Sequence, residues 1–320
     1  MTKIDILVPR AMRDVVIDGL ATKFNLHKTY EAADPKAAIE AVAERIKGIA
    51  VLGAKVDADF LQQFPSLEIV SNFGVGYDNI NAVECGKRGV MVTNTPDVLT
   101  EEVADTAIGL LIMTVRELSA AEKWVRDGNW TGKGSYRLTK GTLRGRTLGI
   151  LGLGRIGKAI ALRAEALGLA VHYHGRSRQA GVEYPYHDTL EGMAEACDTL
   201  MLVAPGGEDT HHLVNAEILK ALGPDGVLIN VGRGTVVDEA ALAQALADNT
   251  IHAAGLDVFE NEPQVPEALL KQSNLVVLPH VGSASVHTRD AMGQLVADNL
   301  SQWFEKGRAI TPVAETPQKA

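Results

Sequence analysis

The chain has 320 residues, of which 46% are hydrophobic and 22% charged, with 31 basic and 40 acidic side chains and a net charge of −9. This length sets an expectation of about two domains, at roughly 150 residues each, and the composition is that of a soluble globular chain with a large core. The acidic balance argues against a nucleic-acid partner or an anionic membrane surface, so any anion site must be built locally. Cys85 and Cys197 are the only cysteines, and their apolar or helix-like context reads as two buried, reduced thiols rather than a disulfide or a metal site. The apolar stretch at the N-terminus is too short for a signal peptide. The longest apolar run, Ala107 to Val115, falls well below the ~20 residues needed to span a bilayer. A cytoplasmic, reducing location is expected.

Over the first hundred residues, β-like runs at Ile4–Val8, Gly48–Leu52, Leu67–Ser71 and Val90–Val92 alternate with helix-like stretches at Met12–Leu20, Pro35–Arg45 and Asp57–Gln63. That alternation implies a parallel sheet with helical crossovers. A long helix then opens at Thr100, with Glu101 and Glu102 at the positive end of its dipole. It is apolar nearly all round, which predicts burial or a place between domains. Residues 121–145 mix Trp124, Trp130 and Tyr136 with Gly128, Gly132, Gly134 and Gly141. They read as an irregular arm, its aromatics covering a partner subunit or packing on their own chain. A second alternating series runs from Arg146 to about His280. Ser285–Glu305 reads as one more helix, followed by a polar tail expected to fray.

Within the second series, the strand Leu148–Leu151 runs into Gly152-Leu-Gly154-Arg155-Ile156-Gly157 and then a helical stretch. Strand, GxGxxG and helix in that order form a dinucleotide site. Gly152 permits the tight turn, Gly154 lets backbone approach the pyrophosphate, and Gly157 lets helix and strand pack closely. The next strand ends in Gly175-Arg176-Ser177-Arg178. NAD sites commonly place an Asp or Glu about 20 residues beyond the fingerprint, where it binds the ribose hydroxyls. Gly175 stands there instead, and Arg176, Ser177 and Arg178 can grip a 2′-phosphate, so NADPH is preferred over NADH. Leu200–Pro205 is the strand whose end, Ala204 and Pro205, flanks the adenosine, with Thr210 in the adjoining loop.

Three later apolar runs each lead into one chemically pointed side chain: Gly226–Val231 into Arg233, Ala253–Phe259 into Glu262, and Leu275–Pro279 into His280. Parallel strands that end together place their next residues along one edge, where ligands bind. A cation, a carboxylate and an imidazole at that edge suit an anionic substrate that must gain or lose a proton. Hydride delivery to a 2-oxo acid builds charge on the C2 oxygen, which a positioned acid must neutralise. A guanidinium orients the planar acid, and a carboxylate near an imidazole keeps it protonated. No residue set has metal-ligand spacing, and there is no Gly-x-Ser-x-Gly elbow.

With these residues assembled, the chain resembles the D-isomer-specific 2-hydroxyacid dehydrogenases over nearly its whole length. The motifs are Phe73–Ile80, Gly152–Gly157, Val231–Thr235, Gly255–Pro263 and Leu278–Gly282. Among them it is most similar to NADPH-dependent glyoxylate/hydroxypyruvate reductases of the hydroxyphenylpyruvate-reductase type, through Asn94–Thr100 and the Gly-Arg-Ser turn. The resemblance implies an α/β fold of two Rossmann-like or flavodoxin-like domains with parallel sheets. A discontinuous substrate domain would span 1–98 and 288–320. A nucleotide domain would span 99–287, with a dimerisation arm at 121–145 and a homodimer as the assembly.

The resemblance also implies roles. Arg233 would hold the substrate carboxylate and carbonyl, His280 would protonate the C2 oxygen, and Glu262 would pair with the imidazole and raise its pKa. Val75 and Gly76 would take the carboxylate through backbone N–H groups, and Trp130 would reach a neighbouring subunit's pocket. Asp257 would meet the nicotinamide carboxamide, with Val231, Gly232 and Gly282 also lining the cofactor. Aryl pyruvates or sugar-derived 2-keto acids are the alternative substrates. A nucleotide-sensing corepressor is the alternative class. Formate dehydrogenases of this fold carry glutamine where Glu262 stands, which disfavours that activity.

Overall fold

A computed structural model describes residues 3–316 and 318. Strands and helices alternate from the start. β1 (Asp5–Val8), α1 (Asp14–Ala21), β2 (Asn25–Lys28), α2 (Pro35–Glu40), β3 (Ile46–Val51), α3 (Ala58–Gln62), β4 (Ile69–Asn72), α4 (Ala82–Lys87) and β5 (Met91–Thr93) follow in order. The five strands pair in parallel in the order β2-β1-β3-β4-β5. Ile6, Leu7, Val8, Ile49, Val51, Ile69 and Val70 are fully buried, as a parallel sheet covered on both faces requires. Asp34, Asp57 and Asn81 cap α2, α3 and α4 through side-chain oxygens that accept backbone N–H groups, so short helices start where the sequence supplies acceptors.

Two of these elements, β2 and α4, go beyond the sequence expectation. β2 reads Asn-Leu-His-Lys and is held by its parallel register on β1 rather than by apolar alternation. The helix expected over Pro35–Arg45 stops at Glu40. Buried Ile46 opens β3 only six residues later, and pairing of the strand overrides local helical preference.

The second series comprises α5 (Thr100–Val115), α6 (Leu118–Arg126), α7 (Asn129–Lys133), β6 (Thr147–Leu151), α8 (Arg155–Ala166), β7 (Ala170–His174), α9 (Leu190–Ala196), β8 (Thr199–Leu202), α10 (Ala216–Leu222), β9 (Val227–Asn230), α11 (Glu239–Ala247), β10 (Ala253–Leu256), α12 (Glu267–Leu270) and β11 (Leu275–Val277). Its six parallel strands lie in the order β11-β10-β9-β8-β6-β7. The order reverses between β6 and β8, which is where such sheets open a crevice at the strand C-termini. Leu148, Ile150, Leu200, Leu202, Leu228, Ile229 and Leu256 form its centre, and α5 packs against α8 and β10 with Val103, Ala107, Leu110 and Leu111 buried.

The arm, expected to be irregular, is instead helical over α6 and α7 and irregular only beyond them. Helix-favouring Ala120, Ala121, Glu122 and Lys123 and the spaced pairs Lys123–Asp127 and Glu122–Arg126 support α6. Trp124 donates to the Gly134 carbonyl at 3.0 Å and its ring meets Tyr136.

The chain then forms α13 (Val286–Lys306), capped by Ser285, whose hydroxyl accepts from the Thr288 N–H. α13 packs on α1, β3 and β4. The tail expected to fray is docked as far as Thr316. Val313 N–H donates to the Val92 carbonyl, and the Thr316 hydroxyl accepts from the Val92 N–H at 3.0 Å. Unsatisfied groups along β5 thus find partners in it. Residues 317, 319 and 320 of that tail lie outside the described residues. By contact density the chain divides into two units, one holding residues up to Leu99 and from Ser285 onward, the other Thr100–Ala284. Among the described residues no helix is long and apolar enough to cross a membrane.

Candidate active site

The ends of β9, β10 and β11 are level, because Asn230 pairs with Leu256 and Leu256 with Val277. The residues that follow therefore line one edge of the second sheet. Asp257 N–H donates to the Asn230 carbonyl at 2.9 Å, and His280 N–H to the Asp257 carbonyl at 2.8 Å. Asn230, fully buried, clamps the turn beyond β9. Its Oδ1 accepts from Gly232 N–H at 3.0 Å and its Nδ2 donates to the Arg233 carbonyl at 2.9 Å. The backbone bearing Arg233 is thus fixed before any ligand arrives. A Cβ on Gly234 would lie 1.9 Å from the Phe259 carbonyl carbon, so only glycine lets this turn press against the loop beyond β10.

That loop carries Glu262. Its Oε1 accepts from Phe259 N–H at 3.1 Å and its Oε2 contacts His280 Nδ1 at 2.8 Å. Burial pushes the Glu262 carboxyl up, but the hydrogen bonds from His280 and Phe259 and the charges of His280 and Arg233 outweigh it, holding the group below the ordinary carboxylate range. An ionised carboxylate only accepts, so Nδ1 carries a proton and Nε2 is the ring position left to gain or lose one. His280 stands in the left-handed region at φ 54°, a conformation that a non-glycine residue keeps only when its surroundings impose it. The Asp257 carbonyl and Glu262 supply that constraint.

Asp257 is buried, and its two oxygens accept from Val281 N–H at 2.7 Å and Gly282 N–H at 2.8 Å. Burial raises this carboxyl, partly offset by those two N–H groups. The contacts hold the backbone next to His280.

The glycine-rich turn lies between β6 and α8. Gly152 has φ 95°, and a Cβ there would sit 2.9 Å from the Ala204 N, while one on Gly157 would sit 2.4 Å from the Gly152 carbonyl oxygen. Gly154 and Gly175, by contrast, face open space. Arg155 and Ile156 open α8, and Arg176, Ser177 and Arg178 are exposed beyond β7. Gln179 ties this loop to the turn, its amide donating to the Leu153 carbonyl at 2.7 Å. Ala204 is buried and Pro205 accepts the Thr210 hydroxyl through its carbonyl at 2.8 Å. Val231 and Gly232 follow β9, and a Cβ on Gly232 would be 2.7 Å from the Ala204 carbonyl oxygen.

Arg233, Asp257, Glu262, His280 and Gly282 therefore gather at one sheet edge, and the phosphate-type turn occupies the switch point of the same sheet. Val75 and Gly76 belong to the first unit, where Asn94 donates to the Val75 carbonyl at 2.9 Å and Asn72 to the Gly76 carbonyl at 2.9 Å. Trp130 stands on α7 with 62% of its surface exposed. Sequence reasoning missed Asn72, Asn94, Asn230 and Gln179, all of which act on backbone. The only signal for Asn230 was an asparagine ending an otherwise apolar buried strand.

Residues 108–282 match the family described as D-isomer specific 2-hydroxyacid dehydrogenase, NAD binding domain. The chain is 43% identical to glyoxylate/hydroxypyruvate reductase A of Arabidopsis thaliana, covering 98% of this chain and 100% of that protein. It is 42% identical, with the same coverage, to hydroxyphenylpyruvate reductase of Plectranthus scutellarioides. Among solved structures it is similar to the NADPH-dependent glyoxylate/hydroxypyruvate reductase of Sinorhizobium meliloti in complex with NADP and malonate. That match has 52% identity and a TM-score of 0.93, covering 100% of this chain and 99% of that one.

Proposed function

Since this chain belongs to the D-isomer-specific 2-hydroxyacid dehydrogenases, we propose that it reduces small 2-oxo acids, glyoxylate and hydroxypyruvate foremost, to D-2-hydroxy acids with NADPH. The observation that carries this reading is the 2.8 Å contact between His280 Nδ1 and Glu262 Oε2, held at the strand edge that also presents Arg233. It makes the imidazole a proton donor whose remaining nitrogen is directed to chemistry, beside a guanidinium suited to a carboxylate.

The turn fits a dinucleotide. Close packing forbids side chains at Gly152 and Gly157, while Gly154 and Gly175 stand open, as backbone approach to a pyrophosphate needs. Gly152, Gly154, Arg155, Ile156 and Gly157 would hold the diphosphate. Ala204, Pro205, Thr210, Val231, Gly232 and Gly282 would line the remainder. When bound, the reduced nicotinamide supplies a hydride for C2 of the substrate. Asp257 keeps Gly282 and the residue after His280 in register, and we assign it the carboxamide as well. Arg176, Ser177 and Arg178 supply two cations and a hydroxyl for a 2′-phosphate, and the S. meliloti protein, 52% identical, is NADPH-dependent.

Arg233 orients the oxo acid and stabilises the developing charge, and His280 delivers a proton from Nε2 to the C2 oxygen. Val75 and Gly76 take the substrate carboxylate, and their carbonyls, already engaged by Asn94 and Asn72, leave the turn preset. The active form is a homodimer built through the nucleotide unit and its arm. Exposed Leu118, Val125, Trp130 and Leu138 favour this, and Trp130 would then serve the neighbouring pocket. Two free, buried cysteines accord with a reducing, cytoplasmic setting.

The test is a panel of glyoxylate, hydroxypyruvate, hydroxyphenylpyruvate and 2-keto-gluconate, each assayed with NADPH and NADH. The proposal expects the highest kcat/KM for one of the first two with NADPH. Preference for the aryl or sugar acid would replace the substrate, and absence of turnover on all four would refute the reading.

A further inference from the structure

Outside the site described above, two chain segments 48 residues apart bring His211, His212 and Glu260 together. We propose that these three side chains form a binding site for a borderline divalent transition ion, with Zn2+ as its natural probe. His211 Nε2 lies 3.5 Å and His212 Nε2 3.1 Å from the same Glu260 oxygen, Oε1. The three ligand atoms all fall within 4.8 Å of one another. In a tetrahedral zinc site with bonds of ~2.0–2.1 Å, adjacent ligand atoms stand about 3.3 Å apart, and the two measured separations bracket that edge. Two imidazoles and one carboxylate with a fourth position open to solvent are a donor set that zinc and its neighbours in the series prefer over calcium or magnesium.

Each ligand is positioned by its own backbone. His212 sits in the left-handed region at φ 51°, with its N–H donating to the Thr235 carbonyl at 2.8 Å. This uncommon conformation for a non-glycine residue is held by the surrounding chain; the two rings stack at 3.9 Å between centroids and 26° between planes, and binding would turn them out of that stack so that both lone pairs meet one ion. Glu260 is anchored through its N–H to buried Glu239 Oε1 at 2.9 Å. That contact fixes the backbone of Glu260, with Glu262 two residues further along the chain. His211 is half-exposed while Glu260 is mostly covered, which gives an ion an approach from solvent. An ordinary ion pair would account for His212 and Glu260 alone; it does not call for the second imidazole converging on the same oxygen.

The site links the turn beyond β8, which carries Thr210, to the loop beyond β10, which carries Glu262. Occupancy would pin that loop without entering the reaction. The experiment is calorimetric titration of the metal-free, full-length protein with Zn2+, alongside His212→Asn, chosen because asparagine tolerates the left-handed region, and Glu260→Gln. The expected result is one ion per wild-type chain, and affinity at least about tenfold weaker in each variant. A Zn2+-dependent rise in melting temperature should occur in wild type and shrink in both variants. Reductase activity of the variants in chelator reports that they fold; should either be inactive there, His211→Ala takes its place. Absence of stoichiometric binding to the wild-type chain overturns the proposal. Binding of equal strength in wild type and variants does so too, since it would put the ion elsewhere, for example at the His172–His187 pair.

Discussion

Replacing Glu262 by glutamine keeps the shape of the strand-edge site and removes its charge. In the native site one carboxylate oxygen accepts from Phe259 N–H and the other from His280 Nδ1. Glutamine has one accepting oxygen. Directed at Phe259, it leaves an NH2 facing His280 Nδ1, which must then be unprotonated, so the variant disfavours the imidazolium. The size of the effect follows from exposure. His280 is 47% and Glu262 35% exposed at the side chain, so the contact is worth about 1 kcal/mol, at the junction between exposed ion pairs and charge-assisted hydrogen bonds. That corresponds to roughly a fivefold factor in a rate constant. Reduction requires a protonated imidazole, so kcat/KM in that direction should fall by about that factor, with the loss concentrated at alkaline pH. Oxidation of the hydroxy acid requires the neutral ring, so its rate at acidic pH should be retained or rise. Glu262 does not contribute a limb of its own near neutrality. Its carboxyl is held below the ordinary range, so the stabilisation it provides is present above the unfolded value of about 4.3 and is lost only as pH falls through the lower folded value. The assay is cofactor absorbance over roughly pH 5–10, between the ordinary carboxylate and tyrosine values, in both directions. A uniform loss of rate at every pH in both directions would refute the coupling and leave Glu262 a shape-holding residue.

Arg233→Ala should lower kcat/KM by about 10²–10³-fold, the scale for removing one preorganised charge-stabilising group, with a melting curve close to wild type; near-normal kcat/KM would remove Arg233 from the reaction. Asn230→Ala should take the partner from Gly232 N–H, at about 1–3 kcal/mol, and leave the Arg233 carbonyl with the Val236 N–H alone. Both stability and kcat/KM should fall, whereas Asn230→Asp, which keeps the acceptor for Gly232 N–H, should recover part of both. Equal loss in the two variants, read by melting temperature and by the separate values of KM and kcat, would contradict the clamp. Gly175→Asp combined with Arg176→Ala should weaken NADPH by about tenfold or more, the worth of one charge-assisted phosphate contact, and bring NADH towards parity. Unchanged KM for NADPH would show that the 2′-phosphate is read elsewhere.

Much of this architecture was legible because the responsible signals are local. Gly152, Gly154 and Gly157 declare their turn by spacing, and apolar runs at Leu148–Leu151 and Val227–Ile229 mark buried parallel strands without any tertiary knowledge. β2 was not legible. Its Asn-Leu-His-Lys sequence has one aliphatic residue, and it exists because β1 offers an unpaired edge. The docked tail has the same origin, since Thr316 and Val313 carry no strand signal and are fixed by groups on β5 that require partners. The arm was misread for the opposite reason. Gly128, Gly132 and Gly134 signalled irregular chain, while the favourable stretch Ala120–Lys123 lies just before them and forms α6.

At the strand edge the division is sharper. Arg233, Glu262 and His280 are visible in sequence because their chemistry differs from the apolar runs they follow. What makes them a set is not visible. Gly234 matters because its missing Cβ would sit 1.9 Å from the Phe259 carbonyl carbon, 25 positions on, and Asn230 because its amide meets the backbone on both sides of Gly232. These are relations between backbone segments, and one sequence encodes them only as a small or amide residue that many other roles explain equally well. The same applies to His211 and His212: two adjacent histidines have no ligand spacing in the chain. Only the parallel pairing that sets the β8 and β10 loops on the same sheet edge brings Glu260 to them. Chemistry-bearing residues are therefore easier to name from sequence than the residues that aim them, and variants such as Asn230→Asp, which alter aim while leaving the reacting groups in place, test the structure more severely than removal of the reacting groups themselves.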